Sequence, residues 1–260
     1  GHEDPLAVAG EPFHVWVIEG PAHLADEFPL HKAGLNVVWT DDLQPYRTRK
    51  VRILNGAHTA SALAAFCAGI DTVKGMMDDA TLSAYLRTVM FEEIVPFVPL
   101  PEAERQDYAR TIMERFGNPY IRHELISIAL NSVSKWSVRV LPSLKDGVAA
   151  RGEAPTGLSF SLAALLWFYR GTLADGAYIG TRDAGPYPIR EDATVIAVMS
   201  AAWAAHGDDP KALVAALLAD ARLWGEDLTR VPGLAVRTAE HLAVIRAKGM
   251  RSALEQFSAG

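Results

Sequence analysis

From Asp42 to its end the chain is written in helical units. Apolar residues recur at three- and four-residue spacing, and most runs have proline or an acidic residue in front and glycine behind. Proline is tolerated in the first turn of a helix and glycine is favoured just past its end, so this punctuation sets where helices start and stop. Pro45 opens a helix through Lys50 toward Gly69. Asp78-Asp79 cap a run over 82–97 that carries Leu82, Leu86, Val89, Met90 and Ile94. Pro101-Glu102 opens another, ending at Gly117. Asn118-Pro119 reads as an N-cap with proline at the first helical position, and that helix carries Ile121, Leu125, Ile128, Ala129 and Ser132 on one side. Further helices are predicted over 156–170, 190–206, 209–220, 232–248 and 250–257, with loops around 143–155 and 171–189. The fold class that follows is mainly α.

The first forty residues differ. Phe13 to Ile18 and Leu35 to Thr40 are short runs rich in valine, isoleucine and tryptophan, separated by Pro21, Pro29 and Gly34, and they read as two strands. The chain therefore divides into a β element over 1–41 and a helical domain over 42–260. No Gly-x-Gly-x-x-Gly follows a strand, so no nucleotide-binding βαβ unit is expected within it.

Composition removes several classes. With 260 residues and 50% hydrophobic content the chain buries a core and is not disordered. A net charge of −6 argues against a general nucleic-acid binder, whose affinity comes from neutralising phosphates. One cysteine, Cys67, excludes an internal disulfide and a thiolate-rich zinc site, and reads as a small apolar helix residue. That usage fits a reducing compartment, with a cytoplasmic location expected. The most apolar stretch, Leu158 to Tyr169, is too short to span a bilayer, so no membrane partner is expected. The start, Gly1-His2-Glu3-Asp4, is too acidic and polar for a signal peptide, and Gly1-His2 reads as a scar of tag removal.

The chemistry is concentrated between Asp41 and Thr59. At about 100° per residue, Lys50, Leu54 and His58 fall at four-residue steps that drift by about 80° in all, with Arg47 between Lys50 and His58 and Asn55 about 60° beyond His58. One helix face then carries two cations, an amide and an imidazole. The same spacing suits a solvated polar stripe with a lone histidine. It also suits proton exchange with an alcohol or ketone. A lysine partly desolvated beside other cations has a lowered pKa, and an amide stabilises a developing alkoxide. No metal is needed for that chemistry.

Lys50-x4-Asn55-x2-His58 resembles the Lys-x4-Asn-x2-His signature of the long-chain mannitol dehydrogenase family. Trp16-Val17-Ile18-Glu19 resembles that family's strand before the domain junction. Arg115-Phe116-Gly117-Asn118-Pro119 resembles its Arg-Phe-x-Asn-Pro segment, and Ser134-Lys135 followed by Leu141-Pro142 is similar to a later substrate-side segment. Four segments in the right order are far more specific than one. The resemblance covers essentially the whole chain and matches the family's carboxy-terminal half. It implies a helical fold similar to the carboxy-terminal domain of 6-phosphogluconate dehydrogenase. It also implies NAD as cofactor, held mainly by an N-terminal nucleotide-binding domain whose last strands would lie at 11–40.

In the roles carried over, Lys50 is the general acid/base, Asn55 polarises the reacting oxygen and His58 contacts substrate. Arg115 and Lys135 reach the substrate pocket. Arg47-Thr48-Arg49 before the lysine, and Trp224 to Leu234, look most like the branch that reduces D-tagaturonate to D-altronate. A sugar-acid carboxylate suits an arginine fork, with Arg47 the first candidate and Arg49 the second. A mannitol or fructuronate dehydrogenase domain, or a non-catalytic assembly domain, are the alternatives. Without the nucleotide-binding half, little or no dehydrogenase activity is expected. His123 shows no catalytic pattern, and Trp167-Phe168-Tyr169 reads as core.

Overall fold

A pair of parallel strands leads into a helical body in the computed structural model, which describes Asp4, Leu6, Ala7 and residues 13–174 and 176–259. Gly1, His2 and Glu3 lie outside the described residues. Strand β1 (Trp16–Glu19) pairs in parallel with β2 (Val37–Thr40), Trp16 opposite Val37. The connection carries one short α-helix, α1 (Leu24–Glu27), and a 3-10 turn over Leu30–Ala33. Both predicted strands form, each shorter than its apolar run.

From Gln44 the helices follow in order: α2 (Gln44–Arg49), α3 (Gly56–Cys67), α4 (Val73–Asp78), α5 (Ala80–Thr88), α6 (Glu102–Phe116), α7 (Leu125–Ile128), α8 (Ser132–Arg139), α9 (Leu141–Arg151) and α10 (Thr156–Phe168). An antiparallel meander of β3 (Gly171–Ala174), β4 (Ala177–Arg182) and β5 (Gly185–Pro188) interrupts them. After it come α11 (Ala193–His206), α12 (Pro210–Ala219), α13 (Ala221–Trp224) and α14 (Leu234–Ala259). The mainly α reading is borne out.

The core is built on α10, which is buried along almost its whole length and packs against α3 and α14. Its apolar residues run round the full circumference, as expected of a helix with no solvent face. Helix α3 offers alanines at 57, 60, 62, 64 and 65, all buried, so its backbone lies close to its neighbours. Glu93 is buried and its two carboxylate oxygens accept from Gly157 N (2.9 Å) and Leu158 N (2.7 Å). It thereby satisfies two orphan donors at the start of α10. Desolvation raises its pKa, and the two backbone N–H groups oppose that rise. Phe168 and Tyr169 are core, as read, and Trp167 packs against it.

Three stretches differ from the sequence reading. The loop expected around 143–155 is largely helix α9, with Pro142 in its first turn. Gly147 allows close approach there, since a Cβ would lie 2.6 Å from Pro155 Cγ. The loop expected at 171–189 is the meander, whose Tyr178 and Tyr187 are buried. The helix expected from Asn118-Pro119 does not start there. Asn118 Oδ1 accepts from Tyr120 N at 3.0 Å, a local Asx turn that competes with helix initiation. The chain then runs non-helically through His123, makes one turn as α7, and breaks at Asn131, whose φ is 52°. By contrast, the predicted break at Gly249 is present as a kink in α14 with φ 81° and ψ 162°.

Candidate active-site cleft

Between α2 and α3 the chain is continuously helical, but residues Lys50–Asn55 form a π-helical turn. A π-turn puts more residues into each turn, so residues before it lose the angular register that an α-helix would give with residues after it. The side chains divide accordingly. Leu54, Asn55 and His58 line a cleft, while Lys50 is exposed and outside the lining. The expected desolvation of Lys50 is therefore not present in this chain. Its charge is nonetheless felt at His58.

The cleft holds about 550 Å³. Arg115 and Phe116 enter from the end of α6, and Asn118, Ile121 and His123 from the non-helical segment that follows. Ser127 and Ile128 come from α7, Lys135 and Arg139 from α8, and Val73 from α4. Hydrogen bonds from Leu125 N to Asp71 O (2.8 Å) and from Val73 N to His123 O (2.9 Å) fix the non-helical wall. Gly56 sets the distance between α3 and α8, because a Cβ there would stand 3.0 Å from the Arg139 carbonyl oxygen.

His58 is the centre of the arrangement. Its ring stacks on Phe116 and meets His123 edge-on, with centroids 5.3 Å apart. Its Nε2 is buried and has no hydrogen-bond partner. Burial above all, then the nearby His123, Arg139, Arg115 and Lys50, push its pKa down to about 3. The imidazole is neutral at physiological pH, with a polar nitrogen left over for a ligand.

Among the described residues the lining carries Arg115, Lys135 and Arg139 and no carboxylate. Lys135 Nζ donates to Ile128 O at 3.0 Å, and its pKa is lowered by desolvation and by Arg139 beside it, against Glu191. Burial likewise lowers the pKa of Arg139, whose one side-chain hydrogen bond among the described residues is a long one of 3.5 Å to Thr59 Oγ1. Arg115 also lies over the Phe13 ring at 4.5 Å.

Of the residues expected at the site, Asn55, His58, Arg115 and Lys135 come together, with Asn118 beside them. Arg47 and Arg49 do not line the cleft. Arg47 is exposed on α2, on the far side of the π-turn. Arg49 is taken up by Glu104 (2.8 Å) and by the Tyr108 ring (4.5 Å), which tie α2 to α6. The expected grouping of Arg47 with His58 holds for an unbroken α-helix, and the π-turn at Lys50–Asn55 takes both arginines out of the lining. The sequence reading passed over His123 and Arg139. Lys135-x3-Arg139 was a usable signal, since positions four apart share a helix face. His123 lies in a segment with no period to read.

Gly20, just after β1, is not part of a Gly-x-Gly-x-x-Gly run, and a Cβ added to it would meet Leu24 and the Trp39 ring at 3.5 Å, so the described residues show no dinucleotide fingerprint at this strand end. Among the described residues, no group of three histidine, cysteine, aspartate or glutamate side chains is placed to hold a metal ion. No helix of these residues is long and apolar enough to cross a membrane.

The cleft is lined by Asn55 and His58, with Lys50 of the same Lys-x4-Asn-x2-His run exposed outside it. Residues 42–246 match the family model described as the mannitol dehydrogenase C-terminal domain, and the chain belongs to that family. Among its relatives is the altronate oxidoreductase of Escherichia coli O17:K52:H18 (strain UMN026 / ExPEC), 44% identical over 257 residues, which are 98% of this chain and 51% of that protein. The altronate oxidoreductase of Shigella flexneri is 43% identical over the same shares. The chain thus spans about half the length of the curated relatives it matches. Two solved structures share the fold. Pseudomonas fluorescens mannitol 2-dehydrogenase, in a ternary complex with NAD and D-mannitol, superposes with a TM-score of 0.73 at 23% identity, over 86% of this chain and 43% of that one. A substrate-free D-sorbitol dehydrogenase gives 0.69 at 20% identity, over 87% and 43%.

Proposed function

We propose that this chain is the substrate-binding and proton-transferring half of an NAD-dependent oxidoreductase that reduces D-tagaturonate to D-altronate. One observation carries the reading: a cleft beside Asn55 and His58 into which α8 presents Lys135 and Arg139, with no carboxylate in its lining among the described residues. Such a lining favours an anionic sugar over a neutral one. The likeness to altronate oxidoreductases across the chain supports the same substrate class.

NAD supplies a hydride when bound, and a nucleotide-binding half outside the described residues would hold it. The residues here act on oxygen and protons. The Asn55 amide donates to the carbonyl oxygen and favours the charge that develops on it. His58, neutral with an unpartnered Nε2, accepts from a substrate hydroxyl. Lys50 is the proton donor to the forming alkoxide. Docking of the nucleotide-binding half over the cleft would bring it out of solvent and beside the reacting oxygen. We place the enzyme in the cytoplasm, where NAD-linked sugar-acid metabolism and a free cysteine are both at home.

The test is NADH consumption with D-tagaturonate, followed spectrophotometrically for this chain alone and for a protein carrying both halves. Turnover is expected only from the two-half protein. Robust turnover by this chain alone, or none by the two-half protein, contradicts the reading.

A further inference from the structure

Arg139 stands out among the cleft residues because no carboxylate of the described residues pairs with it. It forms no ion pair among the described residues, and its hydrogen bond to Thr59 Oγ1 is long. Four other arginines withdrawn from solvent are matched by carboxylates. Arg49 has Glu104, Arg52 has Ser143 and Asp146, Arg182 has Asp71, and Arg237 has Glu153 and Thr156. Lys135 stands four residues before Arg139 on the same face of α8. Like charges at that spacing repel and weaken a helix. The closest acidic influence on Lys135 is Glu191. That carboxylate is already engaged by Val133 N (3.2 Å), Asp192 N (3.0 Å) and the Tyr169 hydroxyl. Two partly desolvated cations on one face of α8, in a cleft whose described lining holds no carboxylate, form an anion site. Gly56 holds this end of α8 against α3, so the site is positioned by a backbone contact and not by a mobile loop.

We propose that Arg139 is the specificity-determining residue for a sugar acid: its guanidinium receives the substrate carboxylate, with Lys135 as the adjoining cation. The proposal rests on the sugar-acid reading above and assigns it to one side chain. A planar fork binds a carboxylate through two parallel hydrogen bonds, which an ammonium cannot reproduce. Arg139 is thus the group that separates acid from neutral sugar, while Asn55 and His58 act on hydroxyl and carbonyl groups that both share.

The test is titration calorimetry on this chain with D-altronate and with the neutral hexitol of the same hydroxyl configuration, for the wild type, Arg139→Met and Arg139→Lys. The wild type is expected to prefer the acid. Arg139→Met is expected to weaken acid binding about tenfold or more and hexitol binding by less than about threefold. Arg139→Lys is expected to fall between, since it keeps the charge and loses the fork. Acid preference retained in Arg139→Met, or equal losses on both ligands, overturns the assignment to Arg139 and leaves the sugar-acid reading standing. A wild-type chain that binds both ligands equally, or neither, overturns the reading and the assignment together. Thermal melts establish folding, and if Arg139→Met is unfolded, Arg139→Lys carries the test alone: an unchanged acid preference in it contradicts the proposal.

Discussion

The imidazole of His58 lies flat on the ring of Phe116, with centroids 3.9 Å apart and planes 8° from parallel. This contact desolvates the imidazole, and four neighbouring cationic or titratable groups add to the effect. The result is a histidine that stays neutral far below the ordinary range while keeping one ring nitrogen unpartnered in the cleft.

A pH dependence of stability follows. The pKa of His58 is about 3 in the folded chain against 6.5 for an ordinary histidine. The unfolded state therefore binds more protons between these values, so stability is complete above about 6.5 and is lost as pH falls toward 3. At pH 5 the loss due to this residue is about 2 kcal/mol. Urea denaturation of the wild type and His58→Gln at about pH 7.5 and about pH 5 measures it. The difference between the two proteins should shrink by that amount at the lower pH, and a constant difference contradicts a buried neutral imidazole.

Gly56→Ala sets two effects against each other. Alanine in a helix interior ordinarily stabilises by about 1 kcal/mol over glycine. Here its Cβ would meet the Arg139 carbonyl oxygen at 3.0 Å, and overpacking of that kind costs about 1–3 kcal/mol. The partner is backbone, not the end of a flexible side chain, so the clash is expected to win. A lower Tm with weaker D-altronate binding is the expected outcome, and a higher Tm with unchanged binding contradicts it.

Glu93→Ala leaves the first donors of α10 unpaired inside the core, at a cost of about 1–3 kcal/mol. Glu93→Gln keeps one acceptor and the volume and is expected to lose less. Chemical denaturation of the two variants gives the order, and a Glu93→Gln variant less stable than Glu93→Ala contradicts the capping role.

Asn55→Ala is expected to lower kcat for tagaturonate reduction about a hundredfold in a protein carrying both halves, because the amide acts on charge that develops during reaction. Product affinity should change by only a few-fold. Steady-state kinetics with a D-altronate titration separates the two, and a loss confined to KM contradicts the assignment.

Much of this was legible because helices announce their ends. Gly117, Gly207 and Gly249 mark the terminus or break that the sequence places at them, and Asp79 caps α5 through Leu82 N at 3.0 Å. Asn55 and His58 share a short spacing on one side of the π-turn, so their grouping survived. The π-turn itself leaves no mark in the residues Lys50–Asn55, because its hydrogen-bond shift is decided by tertiary packing. That is why Arg47 and Lys50 were read onto the cleft face and are not in the lining. Around Asn118 the proline signal was genuine but ambiguous, since the same residues make an Asx turn. The cleft wall contributed by His123 is assembled by long-range backbone hydrogen bonds, which no local pattern encodes.

The central claim is that the cleft between α3, α6 and α8 accepts an acid sugar for NAD-linked chemistry. Its most direct test compares kcat/KM for NAD-dependent oxidation of D-altronate and D-mannitol by a protein carrying both halves. A site built to bind a substrate group rejects the analogue lacking it, so altronate is expected to lead by about a hundredfold or more. Mannitol oxidised as well as altronate, or better, would contradict the account.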